Sequence, residues 1–221
     1  MVPYAHPFRP SLYTAAMLRV LEAECKSRPL GSVIDVGVGG GVLLAALGTC
    51  GAAELWGVDI NPDAIQATHE LLEFCSVQAP RQLLLGDLWD PLPAQKKFDV
   101  IAANLPHFPG TATQDDRDLS WGGGDGRALM TRFLRGLPDR MHRDSVAYLT
   151  HHDLVGLDET DQILKSLGLA HTTLWHTTVF EPPQRIGAVS TEVLARNGAS
   201  LRRFGGYAFV DARILKVTFD S

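Results

Sequence analysis

The clearest structural signal in this chain is the stretch Val33-Ile34-Asp35-Val36-Gly37-Val38-Gly39-Gly40-Gly41. Three of its first four residues, Val33, Ile34 and Val36, are apolar, which predicts a short buried strand. The glycines that follow let the backbone adopt positive φ and approach a ligand closely. Because ligands of open α/β sheets lie beyond the carboxyl ends of the strands, the stretch predicts a strand that ends in a ligand-binding loop.

Strand-like and helix-like segments alternate along the rest of the chain. Further strands are predicted at 54–58, 82–85, 98–103 and 146–150, and helices at about 11–26, 42–47, 61–74, 128–140 and 158–167. This alternation predicts a parallel sheet with helices on both faces. Two late strand-like stretches, 172–180 and 207–219, have no full-length helical pattern between them, so we expect an antiparallel pair at one edge.

Composition excludes several classes of protein. The chain has 221 residues, is 45% hydrophobic and has a net charge of −5, which is typical of one globular domain and argues against binding of long nucleic acid by charge alone. Three cysteines without a CxxC motif predict neither a disulfide framework nor a zinc site. We expect a cytoplasmic location, because no signal peptide and no run of about 18 apolar residues is seen.

Two cofactor motifs compete at the glycine stretch. A dinucleotide fingerprint, GxGxxG, would need glycine at Val42, whereas Asp35 fits D-x-G-x-G, which resembles the first motif of class I S-adenosylmethionine (SAM) methyltransferases. Asp59, after the second strand, can accept both hydroxyls of a ribose from either cofactor. Capping of a helix by Asp59 or Asn61 is an alternative interpretation.

An acidic residue also follows the third predicted strand, in Leu85-Gly86-Asp87-Leu88. Asp87 can accept a hydrogen bond from an adenine amino group, and Leu88 can pack on the ring. An ordinary turn that uses Gly and Asp explains the same residues.

The segment Asn104-Leu105-Pro106-His107, after the fourth strand, distinguishes between the cofactors. It resembles the (N/D)-P-P-(Y/F) motif of amino methyltransferases and the N-(L/I)-P-(Y/F) motif of rRNA adenine dimethylases. The Asn104 side-chain oxygen can accept one N–H of a planar amino group. The Leu105 carbonyl, which the following proline holds in extended geometry, can accept the other. His107 stands where the family has an aromatic residue; it can stack on the acceptor and can also titrate.

The segment Trp121-Gly122-Gly123-Gly124-Asp125-Gly126-Arg127 follows about 15 residues later. It resembles the GG-x-DG of release-factor glutamine methyltransferases of the HemK/PrmC type. Pro10, Thr14 and Met17-Leu18 loosely match the N-terminal helix of that family.

The resemblance implies a Rossmann-like class I methyltransferase fold, with a seven-stranded, mostly parallel sheet, an antiparallel last strand and helices on both faces. It implies a methyltransferase domain over 31–221, a helical lid-like segment over 1–30 and an insertion over 181–205. The implied acceptor-positioning residues are Asn104, Leu105, Pro106 and His107. SAM, which becomes S-adenosylhomocysteine, would be held by Asp35, Gly37, Val38, Gly39, Asp59, Ile60, Asp87, Leu88 and Asn104. No metal is implied.

The acceptor is left open by the sequence. A small molecule or natural-product intermediate is the first expectation, because only about 30 residues precede the first strand, where bacterial glutamine methyltransferases have a recognition domain. A glutamine amide of a protein is second, and an amino group in RNA is third. A SAM-binding protein without transfer and an NAD-binding protein are the other classes. His151-His152-Asp153 could supply a base or metal ligands, although neighbouring strand residues point to opposite faces.

Overall fold

The computed structural model describes residues 9–110 and 122–220. Its helices are α1 (Leu12–Glu24), α2 (Val42–Thr49), α3 (Pro62–Phe74), α4 (Ala128–Arg140), α5 (Leu157–Ser166), α6 (Pro183–Gly187) and α7 (Thr191–Asn197). Its strands are β1 (Ser32–Val36), β2 (Glu54–Asp59), β3 (Arg81–Leu85), β4 (Phe98–Ala103), β5 (Met141–His152), β6 (Leu169–Glu181), β7 (Arg202–Phe204) and β8 (Tyr207–Phe219). No helix in these ranges is long and apolar enough to cross a membrane.

The strands form one mixed sheet in the order β3-β2-β1-β4-β5-β8-β6. The pairs from β3 to β5 are parallel, and β8 runs antiparallel to both β5 and β6. The predicted fold class is therefore confirmed, with one correction to the strand number. The short strand β7 pairs with β8 and makes eight strands in the described ranges. Its three exposed residues carry no alternating pattern that could have predicted it.

Helices cover both faces of the sheet, because β1 and β4 are apolar on both sides. One face packs against α4 and α5, where Ile34 of β1 meets Phe133 and Leu164 in one buried cluster. The other face packs against α1, α2 and α3, and there Val33 of β1 shares a cluster with Met17. The N-terminal helix α1 is thus part of the core, while the predicted division at residue 30 stays a prediction.

The predicted insertion over 181–205 folds into α6, α7, a short 3-10 turn and β7. Ile186 and Val193 bury their side chains with Phe108, which lies beyond the carboxyl end of β4. The segment therefore packs on the end of the sheet where the order of the strands reverses, between β1 and β4. Ligands of such sheets bind at this reversal.

Candidate active site

A cavity of about 600 Å³ lies at this reversal point, beyond the carboxyl ends of β1, β2 and β4. Every residue that the sequence predicted for cofactor or acceptor lines it. They are Asp35, Gly37, Val38, Gly39, Asp59, Ile60, Asp87, Leu88, Asn104, Leu105, Pro106 and His107. Their roles stay predictions, but the tertiary structure brings all of them to one place.

The glycine loop after β1 needs glycine for two separate reasons. Gly37 and Gly41 have φ values of 74° and 78°, in the left-handed region that favours glycine. A Cβ atom on Gly41 would lie 2.9 Å from Thr68 Cα, and one on Gly37 would lie 2.9 Å from Leu105 Cδ2. Side chains here would therefore push the loop away from its neighbours and fill the cradle beside the cavity.

Asp59 ties the loops of β1 and β2 together. Its two carboxylate oxygens accept hydrogen bonds from the Gly39 and Asn61 backbone N–H groups, both at 2.9 Å. Asn61 caps α3 by accepting from the Asp63 N–H, so the capping interpretation holds for Asn61. Carboxylate oxygens have further lone pairs, so Asp59 can still accept hydrogen bonds from hydroxyl groups.

Asp35 presents an unpartnered carboxyl oxygen beside the same loop. Its residue is 1% exposed, and Oδ1 has no hydrogen-bond partner among the described residues. Burial, and then the charge of Asp59, raise the pKa of Asp35 well above its usual value. A ligand with an ammonium group would relieve both effects. The orphan oxygen, the glycine cradle and Asp59 together fit the amino group and ribose of SAM.

The segment Leu85-Gly86-Asp87-Leu88, at the end of β3, shows two features that the sequence did not predict. Asp87 Oδ2 lies 2.9 Å from Arg132 Nη2 of α4, so part of the carboxylate is already engaged. Leu88 is buried and has a φ of 48°, which is unusual for a residue with a side chain. Backbone strain of this kind is often retained at ligand sites.

Asn104 is held in place by two hydroxyl groups. Its Nδ2 donates to Thr14 Oγ1 of α1 at 3.2 Å, and its Oδ1 accepts from Thr150 Oγ1 of β5 at 3.0 Å. The amide plane is therefore fixed from both sides, and Oδ1 keeps a second lone pair. The sequence pointed to Thr14 only through its loose match to the N-terminal helix of the family. It could not point to Thr150, because the position of Thr150 beside Asn104 depends on the register of β4 and β5.

The surroundings of His107 keep its imidazole in the neutral form. Its Nδ1 lies 2.6 Å from the Leu105 carbonyl oxygen, and its ring packs edge-on against Tyr13. Burial lowers the pKa of His107 to about 3, although the bond to the Leu105 carbonyl opposes that shift. The imidazole is thus neutral at pH 7 and donates from Nδ1. The Leu105 carbonyl keeps one lone pair for a second donor.

The GGGDG segment packs on the backbone of the NLPH segment. The Gly122 N–H donates to the Phe108 carbonyl at 2.8 Å. A Cβ atom on Gly122 would lie 2.7 Å from His107 Cα, and one on Gly126 would lie 2.5 Å from the His107 carbonyl oxygen. Glycine at these positions lets the two loops touch. Trp121, the first residue of the predicted segment, lies outside the described residues.

The two histidines at the end of β5 point to opposite faces, as predicted. His151 Nε2 lies 3.1 Å from Thr160 Oγ1 of α5, whereas His152 lines the cavity and its Nε2 lies 3.2 Å from Glu181 Oε1. Asp153 accepts two hydrogen bonds from Arg213, each 2.8 Å long. Within 9–110 and 122–220, His, Cys, Asp and Glu form no cluster of three that could hold a metal ion.

Known proteins match this chain in sequence. A family model described as ribosomal protein L11 methyltransferase (PrmA) matches residues 13–106. A Methanocaldococcus jannaschii protein named "Putative protein N5-glutamine methyltransferase" is 33% identical over 142 residues, which cover 62% of this chain and 69% of that protein. The ribosomal protein L11 methyltransferase of Desulfatibacillum aliphaticivorans is 33% identical over 93 residues, which cover 42% of this chain and 30% of that protein.

Solved structures share the fold at low identity. A ribosomal protein L11 methylase from Lactobacillus delbrueckii superposes with a TM-score of 0.60 at 16% identity, covering 96% of this chain and 81% of that one. A 16S rRNA N2 methyltransferase of T. thermophilus, solved with AdoMet and guanosine, has a TM-score of 0.60 at 17% identity, covering 96% of this chain and 44% of that one.

The fold is a mostly parallel α/β sheet with a cavity where the order of its strands reverses. The chain belongs to the class I SAM-dependent methyltransferases. It is therefore an enzyme that takes its methyl group from SAM, as the sequence predicted.

Proposed function

We propose that this enzyme methylates the planar nitrogen of a carboxamide, namely the side-chain amide of a glutamine in a protein. The observation that carries the proposal is the fixed amide of Asn104, held between Thr14 and Thr150 in the same cavity as the glycine loop. A positioned carbonyl oxygen at this place is suited to receive an N–H group.

The cofactor-binding half of the cavity follows the three strand ends. SAM supplies a methyl group on a sulfonium centre. In the proposed arrangement, Asp35 and the Gly37-Val38-Gly39 loop hold the methionyl part, and Asp59 with Ile60 holds the ribose. Asp87 and Leu88 hold the adenine. The raised pKa of Asp35 supports this assignment, because a ligand ammonium group is what its buried carboxyl lacks.

The acceptor-binding half holds both hydrogens of the reacting nitrogen. The Asn104 Oδ1 accepts one N–H through its second lone pair, and the Leu105 carbonyl accepts the other through the lone pair that His107 leaves unused. The nitrogen lone pair, which an amide delocalises, is then directed toward the methyl donor. Catalysis comes mainly from position and alignment. His107 packs on the acceptor plane.

A glutamine of a protein is favoured over a small molecule by the relative from M. jannaschii. Its name gives N5-glutamine as the methylated group. The aligned 142 residues are 62% of this chain and 69% of that protein, so the relative is no longer than this chain. A chain of this length is therefore no argument against a glutamine acceptor.

Methyl-labelled SAM tests the proposal directly. The enzyme is incubated with glutamine-containing proteins and peptides, RNA and a metabolite extract, and the three fractions are separated. Label should appear on glutamine of the protein fraction and should be absent when that glutamine is replaced by glutamate. Label confined to RNA or to metabolites would overturn the proposed acceptor.

Asn104→Ala tests the proposed chemistry. Transfer should fall by at least about 100-fold, because both alignment and one hydrogen-bond acceptor are lost, while affinity for S-adenosylhomocysteine stays within about threefold. Gln78→Ala, which removes an exposed amide remote from the cavity, is the matched control and should keep full activity. Unchanged turnover in Asn104→Ala would contradict the assigned role.

A further inference from the structure

The charges that line the cavity are separated by sign. Its carboxylates, Asp35, Asp59 and Asp87, follow the strands β1, β2 and β3. Within the part of the chain that the structure describes, two arginines supply the permanent positive charges of the wall, and they come from other segments. Arg9 precedes α1, and Arg185 belongs to α6. The cavity therefore has an acidic half, which is the proposed cofactor side, and a cationic side opposite in charge.

Arg185 is held beside the NLPH segment. Its guanidinium carbon lies 3.9 Å from the centre of the Phe108 ring, so the cation stacks on the residue that follows His107. Phe108 is buried in one cluster with Ile186, which fixes α6 against this loop. Burial lowers the pKa of His107 to about 3, and the positive charge of Arg185 contributes to that shift. Arg185 thus belongs to the acceptor half of the cavity.

Glu181 holds the inner side of Arg185. Its Oε2 lies 3.4 Å from Arg185 Nη1. The side chain of Glu181 is 4% exposed and that of Arg185 is 26% exposed, so the arginine is the outer member of the pair. A guanidinium has five N–H donors in a planar fork, and it can therefore bind Glu181 and a ligand carboxylate at the same time.

The cofactor accounts for at most one of the two arginines. SAM carries two positive groups, the ammonium and the sulfonium, and a single carboxylate. The positive groups suit the acidic half, and one carboxylate is satisfied by one bidentate arginine. A second arginine, stacked beside the acceptor segment, indicates an anionic group in the acceptor itself.

We propose that the acceptor of this enzyme carries a carboxylate next to its glutamine, and that Arg185 binds this carboxylate and so determines specificity. The inference rests on the proposed glutamine acceptor and narrows it to one class. The neighbours of a glutamine whose amide is held by Asn104 and the Leu105 carbonyl extend away from these two groups, and Arg185 is a partly exposed cation of the same cavity. Two sources fit this chemistry: the side chain of an adjacent aspartate or glutamate, and the α-carboxylate of a C-terminal glutamine.

Synthetic peptides test the charge preference with the wild-type enzyme. Blocked five-residue peptides with a central glutamine differ only in one neighbour, which is glutamate, alanine or lysine. By calorimetry on enzyme saturated with S-adenosylhomocysteine, the glutamate peptide should bind about 10-fold more tightly than the alanine peptide, and the lysine peptide more weakly than both. Added salt should reduce this preference.

A peptide that ends in glutamine, compared as free acid and as amide, distinguishes the two sources. A preference for the free acid alone identifies the α-carboxylate, and a preference for the glutamate neighbour identifies a side chain. Equal affinities throughout the series, or no measurable binding of any peptide, would overturn the inference.

Arg185→Gln tests the assignment to this residue, because the glutamine keeps a donor for Glu181 and lacks the positive charge. The ratio of the affinities for the glutamate and alanine peptides should fall from about 10 to about 1, while the affinity for S-adenosylhomocysteine stays within about twofold. A purely structural role would weaken both peptides equally and leave the ratio unchanged. S-adenosylhomocysteine carries the carboxylate of SAM, so an equal loss of its affinity would place Arg185 at the cofactor and contradict the assignment.

Arg196→Gln is the matched control. Arg196 lies in α7 of the same 181–205 segment, pairs with Glu192 at 2.9 Å and does not line the cavity, so its variant should keep the wild-type ratio. Arg185→Lys keeps the charge without the planar fork and should show an intermediate ratio. If Arg185→Gln fails to fold, the lysine variant carries the test, and a wild-type ratio there would contradict the assignment.

The two proposals fail in different ways. If glutamine peptides are methylated at the same rate whatever their neighbour, only this inference fails. If the glutamate peptide binds more tightly but no glutamine receives label from SAM, the proposed function fails, and the binding of a carboxylate by Arg185 stands.

Discussion

Gly126→Ala should damage the acceptor side of the cavity and leave the cofactor side intact. Gly126 has a φ of 76°, and a Cβ atom there would lie 2.5 Å from the His107 carbonyl oxygen and 3.1 Å from the Pro109 nitrogen. Both contacts are backbone atoms, so no side-chain rotation can relieve them. The loop that carries the NLPH segment must therefore shift.

The size of the effect follows from two contributions. A non-glycine residue in the left-handed region costs roughly 1–2 kcal/mol, and overpacking against fixed atoms costs about 1–3 kcal/mol more. For a chain of this length, a total of about 3 kcal/mol lowers the melting temperature by on the order of 10 °C. A displacement of the acceptor loop by several tenths of an ångström should lower kcat/KM by about 10- to 100-fold, since misplacement near 1 Å costs about 100-fold.

Gly124→Ala is the matched control for this prediction. Gly124 lies in the same loop, has no positive φ, and a Cβ atom there meets nothing within 4 Å. Steady-state transfer, calorimetric affinity for S-adenosylhomocysteine and thermal unfolding are compared for both variants. The reasoning is refuted if Gly126→Ala transfers methyl groups as fast as Gly124→Ala, or if its affinity for S-adenosylhomocysteine falls as much as its kcat/KM.

Two further predictions concern the glycine loop and acid stability. Gly41 has a φ of 78°, and a Cβ atom there would lie 2.9 Å from Thr68 Cα. Gly41→Ala should therefore distort the loop and weaken S-adenosylhomocysteine binding, measured by titration calorimetry, more than about tenfold. Gly51→Ala has open space and should keep that affinity despite a similar φ penalty; equal loss in both would contradict the cradle. Burial works to raise the pKa of Asp153, but a neighbouring histidine and Arg213 hold it below its usual value, so this carboxylate stabilises the fold above about pH 4 and ceases to do so as pH falls through its lowered pKa. Arg213→Met should lower the free energy of unfolding at pH 7 by roughly 2 kcal/mol and flatten its decline between about pH 4 and pH 2 in denaturant titrations; an unchanged decline would refute this account.

The regular elements could be predicted because their signals are local. The strand predicted at 207–219 has the observed bounds, and the helix predicted at 128–140 does as well. The strand predicted at 146–150 spans Met141–His152 in the structure. The prediction is too short because the residues near both ends of this strand are polar. Ser145 and His152 are buried there through hydrogen bonds to distant residues, so their sequence carries no apolar signal.

The residues of the proposed cofactor-binding half could be predicted from the sequence for a different reason. Its residues follow the carboxyl ends of successive parallel strands, and such ends always meet at one edge of the sheet. Asp35, Asp59 and Asp87 could thus be assigned to one cavity without coordinates, together with Asn104 of the acceptor half, and all four line it. The bond between Asp87 and Arg132 could not be foreseen, since it depends on where α4 crosses the strand ends.

The acceptor half needed the tertiary structure. Thr14, Thr150, His152 and Glu181 come from α1, β5 and β6, and no short-range pattern connects them. The neutral state of His107 also depends on burial by residues distant in sequence.

Sequence alone predicted the sheet, the glycine loop and the NLPH segment, because each is encoded in a few consecutive residues whose backbone preferences are local. Only the tertiary structure decided how Asn104 is oriented, that His107 is neutral and that His152 faces Glu181. These properties arise from strand register and from burial, which neighbours far along the chain impose.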